Sequence, residues 1–231
     1  MSERRPRALI TGASRGIGAA AARAFGDEYD LLLGGRDPHA LADLADSLPL
    51  ATPWPAELTD PEALAAAVGR IDRLDVLVHS AGVWEPGLIG ETRPETWRYI
   101  FDVNLFAVAE LTRLLLPALR AARGRVILIN STAGKWVSPA RGAYSASKFA
   151  LHAFAEALHA EEAKNGVGVT SIYPGRVATD MQRKVRQAEN GPFASEEYIA
   201  PESVATVVLA AAQAPSDSHL TEIVVSRAYR G

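Results

Sequence analysis

Near its start the chain reads Ala8-Leu9-Ile10-Thr11-Gly12-Ala13-Ser14-Arg15-Gly16-Ile17-Gly18. A short apolar run leads into three spaced glycines, and an alanine-rich segment that suits a helix follows. Glycine permits positive φ and a close approach of the backbone to a ligand. A diphosphate can then rest against free N–H groups at the positive end of the helix. The order of strand, glycine turn and helix therefore predicts a dinucleotide-binding unit.

The rest of the chain repeats this alternation of short apolar runs and longer helical patterns. Because the runs are apolar throughout, both faces of each strand need cover. Predicted strands cover 8–11, 31–33, 74–79, 125–130, 167–173 and 222–225, with 50–54 as a weaker one, and predicted helices lie near 17–25, 39–47, 61–69, 95–122, 144–164 and 202–212. We expect an α/β fold: one Rossmann-like domain over residues 1–231, with a doubly wound parallel sheet of about seven strands and helices on both faces.

Composition narrows the classes of protein. The chain has 231 residues, of which 48% are hydrophobic and 22% charged, as in ordinary soluble domains. It has no cysteine, which excludes disulfides and thiolate metal sites and fits a reducing cytoplasm. A net charge of −3 gives no general attraction to nucleic acid or anionic lipid. The basic start precedes too few apolar residues for a signal peptide, and no stretch supplies the about 20 apolar residues of a membrane span. We expect a soluble, cytoplasmic protein with no metal, nucleic-acid or membrane partner.

Tyr144 and Lys148 form a candidate proton-transfer pair. They lie four residues apart, so a helix places both on one face. Delivery of a hydride to a carbonyl leaves negative charge on the oxygen, which then needs a proton. A free phenol has a pKa of about 10, and a nearby ammonium together with the positive charge of oxidised nicotinamide favours the phenolate and lowers that pKa. Ser131, at the end of a predicted strand, suits a hydrogen bond to the substrate oxygen.

These residues resemble the short-chain dehydrogenase/reductase family over nearly the whole chain, from about residue 7 to 225. The glycine turn is similar to the family's TGxxxGxG signature, and residues 144–148 are similar to its YxxxK motif. Ser131 lies thirteen residues before Tyr144, as in the family. Residues 102–105 resemble the segment that carries the fourth catalytic residue, and residues 173–179 resemble the PGxVxT loop that borders the nicotinamide.

The resemblance implies a role for each matching residue. It makes Tyr144 the general acid/base, which Lys148 tunes while binding the nicotinamide ribose. It makes Ser131 the residue that orients the carbonyl, and gives Asn104 a water that links Lys148 to solvent. The implied cofactor-binding set is Gly12, Ser14, Arg15, Gly16, Ile17, Gly18, Arg36, Glu57, Leu58, Ala81, Gly82, Tyr144, Lys148, Pro174, Gly175, Val177 and Thr179. The implied activity is that of an NADP(H)-dependent carbonyl reductase, interconverting a small-molecule carbonyl compound and an alcohol.

Two stretches depart from the family pattern. His79-Ser80-Ala81-Gly82 stands where the family often has Asn-Asn-Ala-Gly, and we interpret His79 as a structural group rather than a catalyst. Glu57 precedes Leu58 where the family prefers aspartate beside the adenine. The longer side chain of Glu57 must fold differently to accept from the adenine amine.

The end of the second strand predicts the choice of nicotinamide cofactor. NAD-binding domains usually place a carboxylate there for the ribose 2′-hydroxyl. This chain has Gly35 at that position and Arg36 after it, a pair that suits a 2′-phosphate. Arg15 resembles the family's second basic contact, and Asp37, just before Pro38, suits the start of a helix. The prediction is NADP(H).

The sequence says less about substrate and assembly. Pocket candidates are Trp84, Trp136, Met181 and Phe193, each of which core or lid packing would explain equally well. Lys135 and Arg141 suit either an acidic substrate or a solvated surface, and we favour the surface. The polar segment 180–200, with a turn at 190–192, suits a mobile lid. The resemblance also implies a homodimer or homotetramer that uses the helices of 95–122 and 144–164, and the apolar character of the second helix agrees.

Two other functions fit the same motifs. One is a non-catalytic protein that binds NADP(H) and reports redox state to a partner. The other is an enzyme that performs dehydration or epimerisation on the same scaffold. The presence of Tyr144 and Lys148 disfavours the first. The complete set, with Asn104 and Ser131, favours simple alcohol/carbonyl chemistry over the second.

Overall fold

The computed structural model describes residues 4–69, 71–215 and 217–228. Its strands are β1 (Arg7–Ile10), β2 (Asp30–Gly35), β3 (Ala51–Pro55), β4 (Val76–His79), β5 (Arg125–Ile129), β6 (Gly168–Pro174) and β7 (Glu222–Val225). They form one parallel sheet in the order β3-β2-β1-β4-β5-β6-β7. The doubly wound seven-stranded sheet is therefore confirmed, and the weaker strand prediction at 50–54 is confirmed as β3.

Helices link the strands and cover both faces of the sheet. They are α1 (Gly16–Phe25), α2 (Pro38–Asp46), α3 (Pro61–Val68), α4 (Pro94–Phe101), α5 (Ala107–Ala122), α6 (Gly142–Glu162), α7 (Asp180–Ala188) and α8 (Pro201–Ala212). Apolar residues of α1, α2 and α8 share one core cluster, and those of α3, α5 and α6 share another. Successive residues of one strand enter different clusters: Ala8 and Ile10 enter the first, and Leu9 the second. This two-sided burial explains why the central strands are apolar throughout.

Several helix starts follow directly from the sequence. The Asp37 carboxylate accepts from the backbone N–H groups of His39 and Ala40, which confirms its predicted role at the start of α2. Asp60 caps α3 in the same way, with a proline at the next position. These caps set where each helix leaves the edge of the sheet.

The predicted helix over 95–122 differs from the observed structure. A π-helical segment, Asp102–Phe106, separates α4 from α5. A π-turn inserts one residue into the helical repeat, and such turns occur frequently at functional sites. Asn104 lies at the centre of this segment and is buried. Apolar periodicity carries no signal for one inserted residue, so the sequence predicted an uninterrupted helix.

The topology fixes where a ligand can bind. The chain builds β1, β2 and β3 outward in one direction, and then crosses to β4 on the other side of β1. Such a reversal opens a crevice at the carboxyl ends of the two central strands. The residues after β1, β4, β5 and β6 all reach this edge, and they include the glycine turn, Ser131 and the 174–179 loop.

Among the described residues, no helix combines the length and apolar character needed to cross a membrane.

Candidate active site

The glycine turn brings the loops after β1 and β4 into direct contact. Gly12 and Gly16 have φ of +67° and +58°, in the region that favours glycine. A Cβ on Gly12 would lie 2.9 Å from the backbone N and Cα of Ala81, and a Cβ on Gly18 would overlap the carbonyl oxygen of Gly12. All three glycines are therefore required by the backbone itself.

This turn has the chemistry that a diphosphate needs. The first N–H groups of α1 have no partner within the helix, and they carry the positive end of its dipole. The first turn contains no acidic side chain, and Arg15 precedes it with its side chain 71% exposed. Arg15 approaches the Asp180 carboxylate at 3.9 Å, a loose and exposed contact that leaves its guanidinium available. The residues present thus fit a dinucleotide diphosphate.

Thr11 contributes to the site, although it is not among the residues predicted from the sequence. Its hydroxyl accepts from the N–H groups of Ser80 and Ala81, at 3.0 and 3.2 Å. The same hydroxyl lies 3.4 Å from the Val78 carbonyl. Thr11 therefore fixes the loop after β4 against the glycine turn. Its position directly before Gly12 was the signal available in the sequence.

His79 is a buried structural group. Its Nε2 lies 2.9 Å from the Thr112 hydroxyl, which also lies 2.7 Å from the Val108 carbonyl. The Thr112 hydroxyl donates its proton to the Val108 carbonyl, so it accepts from the Nε2–H of His79. Burial lowers the pKa of His79 to about 3. The imidazole is thus neutral and links β4 to α5, as expected of a structural rather than a catalytic residue.

Replacing His79 with asparagine is expected to make the protein less sensitive to acid. An unfolded histidine takes up its proton near pH 6.5, but the folded one does so only near pH 3. Between these values the unfolded chain binds the extra proton, so the wild-type free energy of unfolding falls by up to about 1.4 kcal/mol per pH unit on acidification. Denaturant unfolding at pH 7 and pH 5 measures this loss, which is smaller in His79→Asn. His39→Asn, at an exposed histidine, is the control, and equal losses in all three proteins contradict a neutral buried imidazole.

Tyr144, Lys148 and Ser131 meet beside the crevice. Tyr144 and Lys148 lie one turn apart on α6, both buried. The Lys148 ammonium donates to the Ile129 carbonyl at 2.9 Å and lies 5.9 Å from the centre of the Tyr144 ring. Ser131 follows β5, and its hydroxyl accepts from the Ala133 N–H at 3.1 Å. The predicted placement of both α6 residues on one face is confirmed.

The protein's own groups raise the pKa of Tyr144, and the lowering expected from Lys148 together with an oxidised nicotinamide stays a prediction. Burial raises the pKa of Tyr144, while a hydrogen bond with Ser131 and the charge of Arg141 oppose this rise. Burial also lowers the pKa of Lys148 to about 8. The Lys148 ammonium bonds a backbone carbonyl rather than the phenol, so burial of the phenol prevails. The phenol is therefore protonated at neutral pH.

Asn104 is engaged with protein atoms. Its side-chain carbonyl accepts from the Val83 N–H at 2.8 Å, and its amide donates to the Val83 carbonyl at 2.9 Å. The amide also lies 3.1 Å from the Ser147 hydroxyl. Asn104 thus joins the π-helical segment to the loop after β4 and to α6. These contacts already use both ends of its side-chain amide. Its predicted role of holding a relay water stays a prediction.

Helix α7 covers Tyr144. Met181 and Val185 of α7 pack with Trp84 and Tyr144, leaving Tyr144 9% exposed. This contact fits the pocket predictions for Trp84 and Met181. Trp136 is 63% exposed, and Phe193 stacks on Tyr198 at 5.2 Å; neither lies in this cluster. The segment 180–200, predicted to be a lid, thus begins with α7. No helix was predicted there from the sequence.

Two of the predicted cofactor residues, Arg36 and Glu57, lie at the surface. Arg36 is exposed after β2, and a Cβ on Gly35 would contact Leu41 at 3.2 Å. The Glu57 carboxylate accepts from the N–H and hydroxyl of Thr59, at 3.2 and 2.8 Å. The Glu57 side chain thus folds onto its own loop, at Thr59. Its contact with adenine stays a prediction.

Lys135 and Arg141 are paired within the protein. The Lys135 ammonium donates to Glu222 at 2.9 Å and lies 4.2 Å from the centre of the Tyr173 ring. The Arg141 guanidinium donates to Glu189 at 2.8 Å. Each of the two side chains therefore bridges two elements at the protein surface. In the described part of the chain no group of histidine, aspartate and glutamate side chains could hold a metal ion.

Comparison with known proteins agrees with this geometry. Residues 6–190 match the short chain dehydrogenase family. The chain belongs to this family. It is 35% identical over 201 residues to dehydrogenase/reductase SDR family member 7B of Bos taurus, an alignment that covers 80% of this chain and 62% of the bovine protein. The chain therefore spans less than two thirds of that relative's length.

Solved short-chain dehydrogenase structures share the whole architecture. An alcohol dehydrogenase from the archaeon Thermococcus sibiricus, complexed with 5-hydroxy-NADP, superposes with a TM-score of 0.87 at 26% identity, covering 96% of each chain. A 3-oxoacyl-[acyl-carrier protein] reductase from Brucella melitensis, with bound NAD, superposes with a TM-score of 0.83 at 30% identity. That superposition covers 97% of this chain and 91% of the other. The family assignment and the Rossmann-like fold are thereby established.

Proposed function

We propose that this short-chain dehydrogenase is an NADP(H)-dependent oxidoreductase that interconverts a carbonyl compound and an alcohol. The observation that carries the proposal is the meeting of Tyr144, Lys148 and Ser131 beside the glycine turn, at the carboxyl ends of the parallel strands. Two titratable groups and a hydroxyl that share one crevice with a dinucleotide-binding turn suit proton transfer coupled to hydride transfer.

The protein's own residues handle the proton and the carbonyl oxygen. When bound, the nicotinamide supplies or accepts the hydride. Ser131 holds the substrate oxygen by a hydrogen bond, and Tyr144 donates its proton to that oxygen as negative charge develops. The raised pKa of Tyr144 keeps the phenol protonated at neutral pH, which is the form that reduction needs. Lys148, with a pKa of about 8, is mainly charged at neutral pH and suits the ribose hydroxyls.

The cofactor is proposed to be NADP(H) rather than NAD(H). Gly35 at the end of β2 carries no carboxylate to repel a 2′-phosphate, and the exposed Arg36 follows it. Asp37, the nearest carboxylate in the sequence, is held by the N–H groups at the start of α2. The charge available to a cofactor at the end of β2 is therefore that of the Arg36 guanidinium, a group that pairs well with phosphate. The bound 5-hydroxy-NADP of the archaeal structure agrees with this choice, although the Brucella melitensis structure holds NAD.

The test is consumption of NADPH by the purified protein with a panel of ketones, aldehydes and quinones. Loss of absorbance at the nicotinamide band with at least one carbonyl, and formation of the matching alcohol, is the expected result. A protein that binds NADPH tightly but oxidises it with no member of the panel would instead fit the redox-reporting alternative. A cytoplasmic location stays a prediction.

A homodimer or homotetramer is proposed from the outer surface of α4, the π-helical segment and α6. Tyr99, Phe106 and Phe149 are 41%, 56% and 41% exposed there. Aromatic side chains at this exposure favour a protein partner over water. Light scattering during size-exclusion chromatography is expected to give a mass of at least twice 24.6 kDa. A single species of 24.6 kDa would contradict this assembly.

A further inference from the structure

One carboxylate near the active site holds three arginines. Glu189, after the end of α7, accepts from Arg141 at 2.8 Å, from Arg176 at 2.7 and 3.0 Å, and from Arg186 at 2.6 Å. The three arginines come from the start of α6, the loop after β6 and α7 itself. Charge-assisted hydrogen bonds of this kind are the strong ones. Glu189 therefore fastens α7 to the two segments on either side of it.

A cavity opens beside two of these arginines. It has a volume of about 430 Å³ and is lined by Arg176, Arg186, Glu197, Tyr198 and Arg227. Backbone hydrogen bonds join the segments around this cavity to the 174–179 loop. The Gly175 N–H donates to the Val225 carbonyl at 2.9 Å, and the Ile199 N–H donates to the Arg176 carbonyl at 3.0 Å. The cavity thus shares the loop after β6 and helix α7 with the candidate active site.

The local charge favours an anion even with Glu189 in place. Four arginines (Arg141, Arg176, Arg186 and Arg227, here called the arginine cluster) face two carboxylates, Glu189 and Glu197, which leaves two positive charges in excess. The guanidinium groups are accessible, with the Arg176 side chain 44% and the Arg186 side chain 24% exposed. Planar guanidinium groups bind carboxylate and phosphate by paired hydrogen bonds.

The arginine cluster is connected to the catalytic pair. Val185, next to Arg186 on α7, packs in the cluster that covers Tyr144. Arg141 lies three residues before Tyr144, and its positive charge lowers the Tyr144 pKa. An anion that takes the arginines from Glu189 therefore releases the end of α7, the helix whose Val185 packs against Tyr144.

We propose that the arginine cluster binds a carboxylate or phosphate group of the carbonyl substrate, in competition with Glu189. This inference rests on the proposed reductase function and names its substrate class: carbonyl compounds that carry an anionic group. Glu189 occupies the position of that group until substrate arrives. Because Glu189 and the anionic group compete for the same arginines, access of a substrate to Tyr144 depends on the charge of that substrate.

The experiment compares matched carbonyl pairs, each a keto acid and its methyl ester. The measured quantity is the ratio of kcat/KM for the acid to that for the ester, at low ionic strength. In the wild type the acid is expected to be favoured by about tenfold, equivalent to about 1.4 kcal/mol, and added salt reduces the ratio. A phosphate monoester of a hydroxyketone, compared with its hydroxyketone, tests the phosphate form in the same way.

Two variants distinguish anion binding by the arginine cluster from a purely structural role of Glu189. Glu189→Gln removes the competing charge, so the ratio is expected to rise by about a further tenfold. Arg227→Gln removes an exposed member of the arginine cluster and is expected to lower the ratio. Lys184→Gln, which removes a positive charge from the exposed face of α7, is the control and leaves the ratio unchanged.

The outcomes are distinct. If Glu189 only braces α7, Glu189→Gln changes acid and ester alike and the ratio stays at the wild-type value, which overturns the proposal. Equal wild-type kcat/KM values for acid and ester also overturn it. Turnover of the ester by the wild type tests the reductase function separately. Failure of the charge preference therefore cannot be mistaken for failure of the proposed activity.

Discussion

Replacing Tyr144 with phenylalanine is expected to lower kcat for NADPH-dependent carbonyl reduction by about 10²–10⁴-fold. The phenol is the buried acid beside Ser131, and phenylalanine keeps the ring while removing the proton. Packing against Trp84 and Val185 is preserved, so the fold is retained. The measurement is steady-state NADPH consumption with the best carbonyl of the panel.

Tyr99→Phe is the matched control for this variant. It removes the same hydroxyl from an exposed position on α4 and is expected to keep the wild-type kcat. Binding of NADPH to Tyr144→Phe, followed by fluorescence, shows whether the cofactor site is intact. Wild-type turnover by Tyr144→Phe would remove this residue from the mechanism.

Replacing Arg36 with aspartate is expected to reverse the cofactor preference. The change removes a guanidinium from the end of β2 and puts a carboxylate where a 2′-phosphate would lie. Hydrogen bonds to charged groups contribute about 1.5–3 kcal/mol, and repulsion adds to this loss. The ratio of kcat/KM for NADPH to that for NADH should therefore fall by about 100-fold or more.

The control for this variant is Arg23→Asp. Arg23 is an exposed arginine near the far end of α1, so this substitution makes the same change in net charge away from β2. It is expected to keep the wild-type preference. Equal losses for NADPH and NADH in Arg36→Asp would contradict recognition of a 2′-phosphate by Arg36.

Local sequence signals predicted most of the fold. Six of the seven strands follow from apolar runs, β3 was the weaker prediction, and the caps at Asp37 and Asp60 follow from their side chains next to proline. The glycine turn carries its own geometric reason, because a side chain at Gly12 or Gly18 would overlap the backbone. Signals of this kind concern neighbouring residues, so one sequence suffices to find them.

Helix α7 shows where such signals fail. Its residues 180–188 are mostly polar, and only Met181 and Val185 form an apolar pair at helical spacing. Thr179 caps the helix, with its hydroxyl accepting from the Gln182 N–H at 3.3 Å. This cap and the single apolar pair were the available evidence. A polar helix held by tertiary contacts gives little periodicity to detect.

The contacts of Glu189 also lay beyond the sequence. Its partner Arg141 is 48 residues away along the chain, and Arg176 is 13 residues away. A charged residue at the end of a polar segment is usually solvated, so pairing with three arginines is a property of the tertiary structure. The contribution of the protein to the pKa of Tyr144 is likewise a property of the tertiary structure, because the degree of burial sets it.

The all-parallel sheet has a consequence for how the protein folds. Ala8 of β1 pairs with Leu31 of β2 and with Val76 of β4, so the central strand gains one neighbour early in the chain and the other only much later. No described strand pair is a hairpin, and each pairing must first close a long loop of chain. Non-local pairing of this kind is slow, and unpaired edges stay open to other chains meanwhile. Yield after refolding should therefore depend strongly on protein concentration.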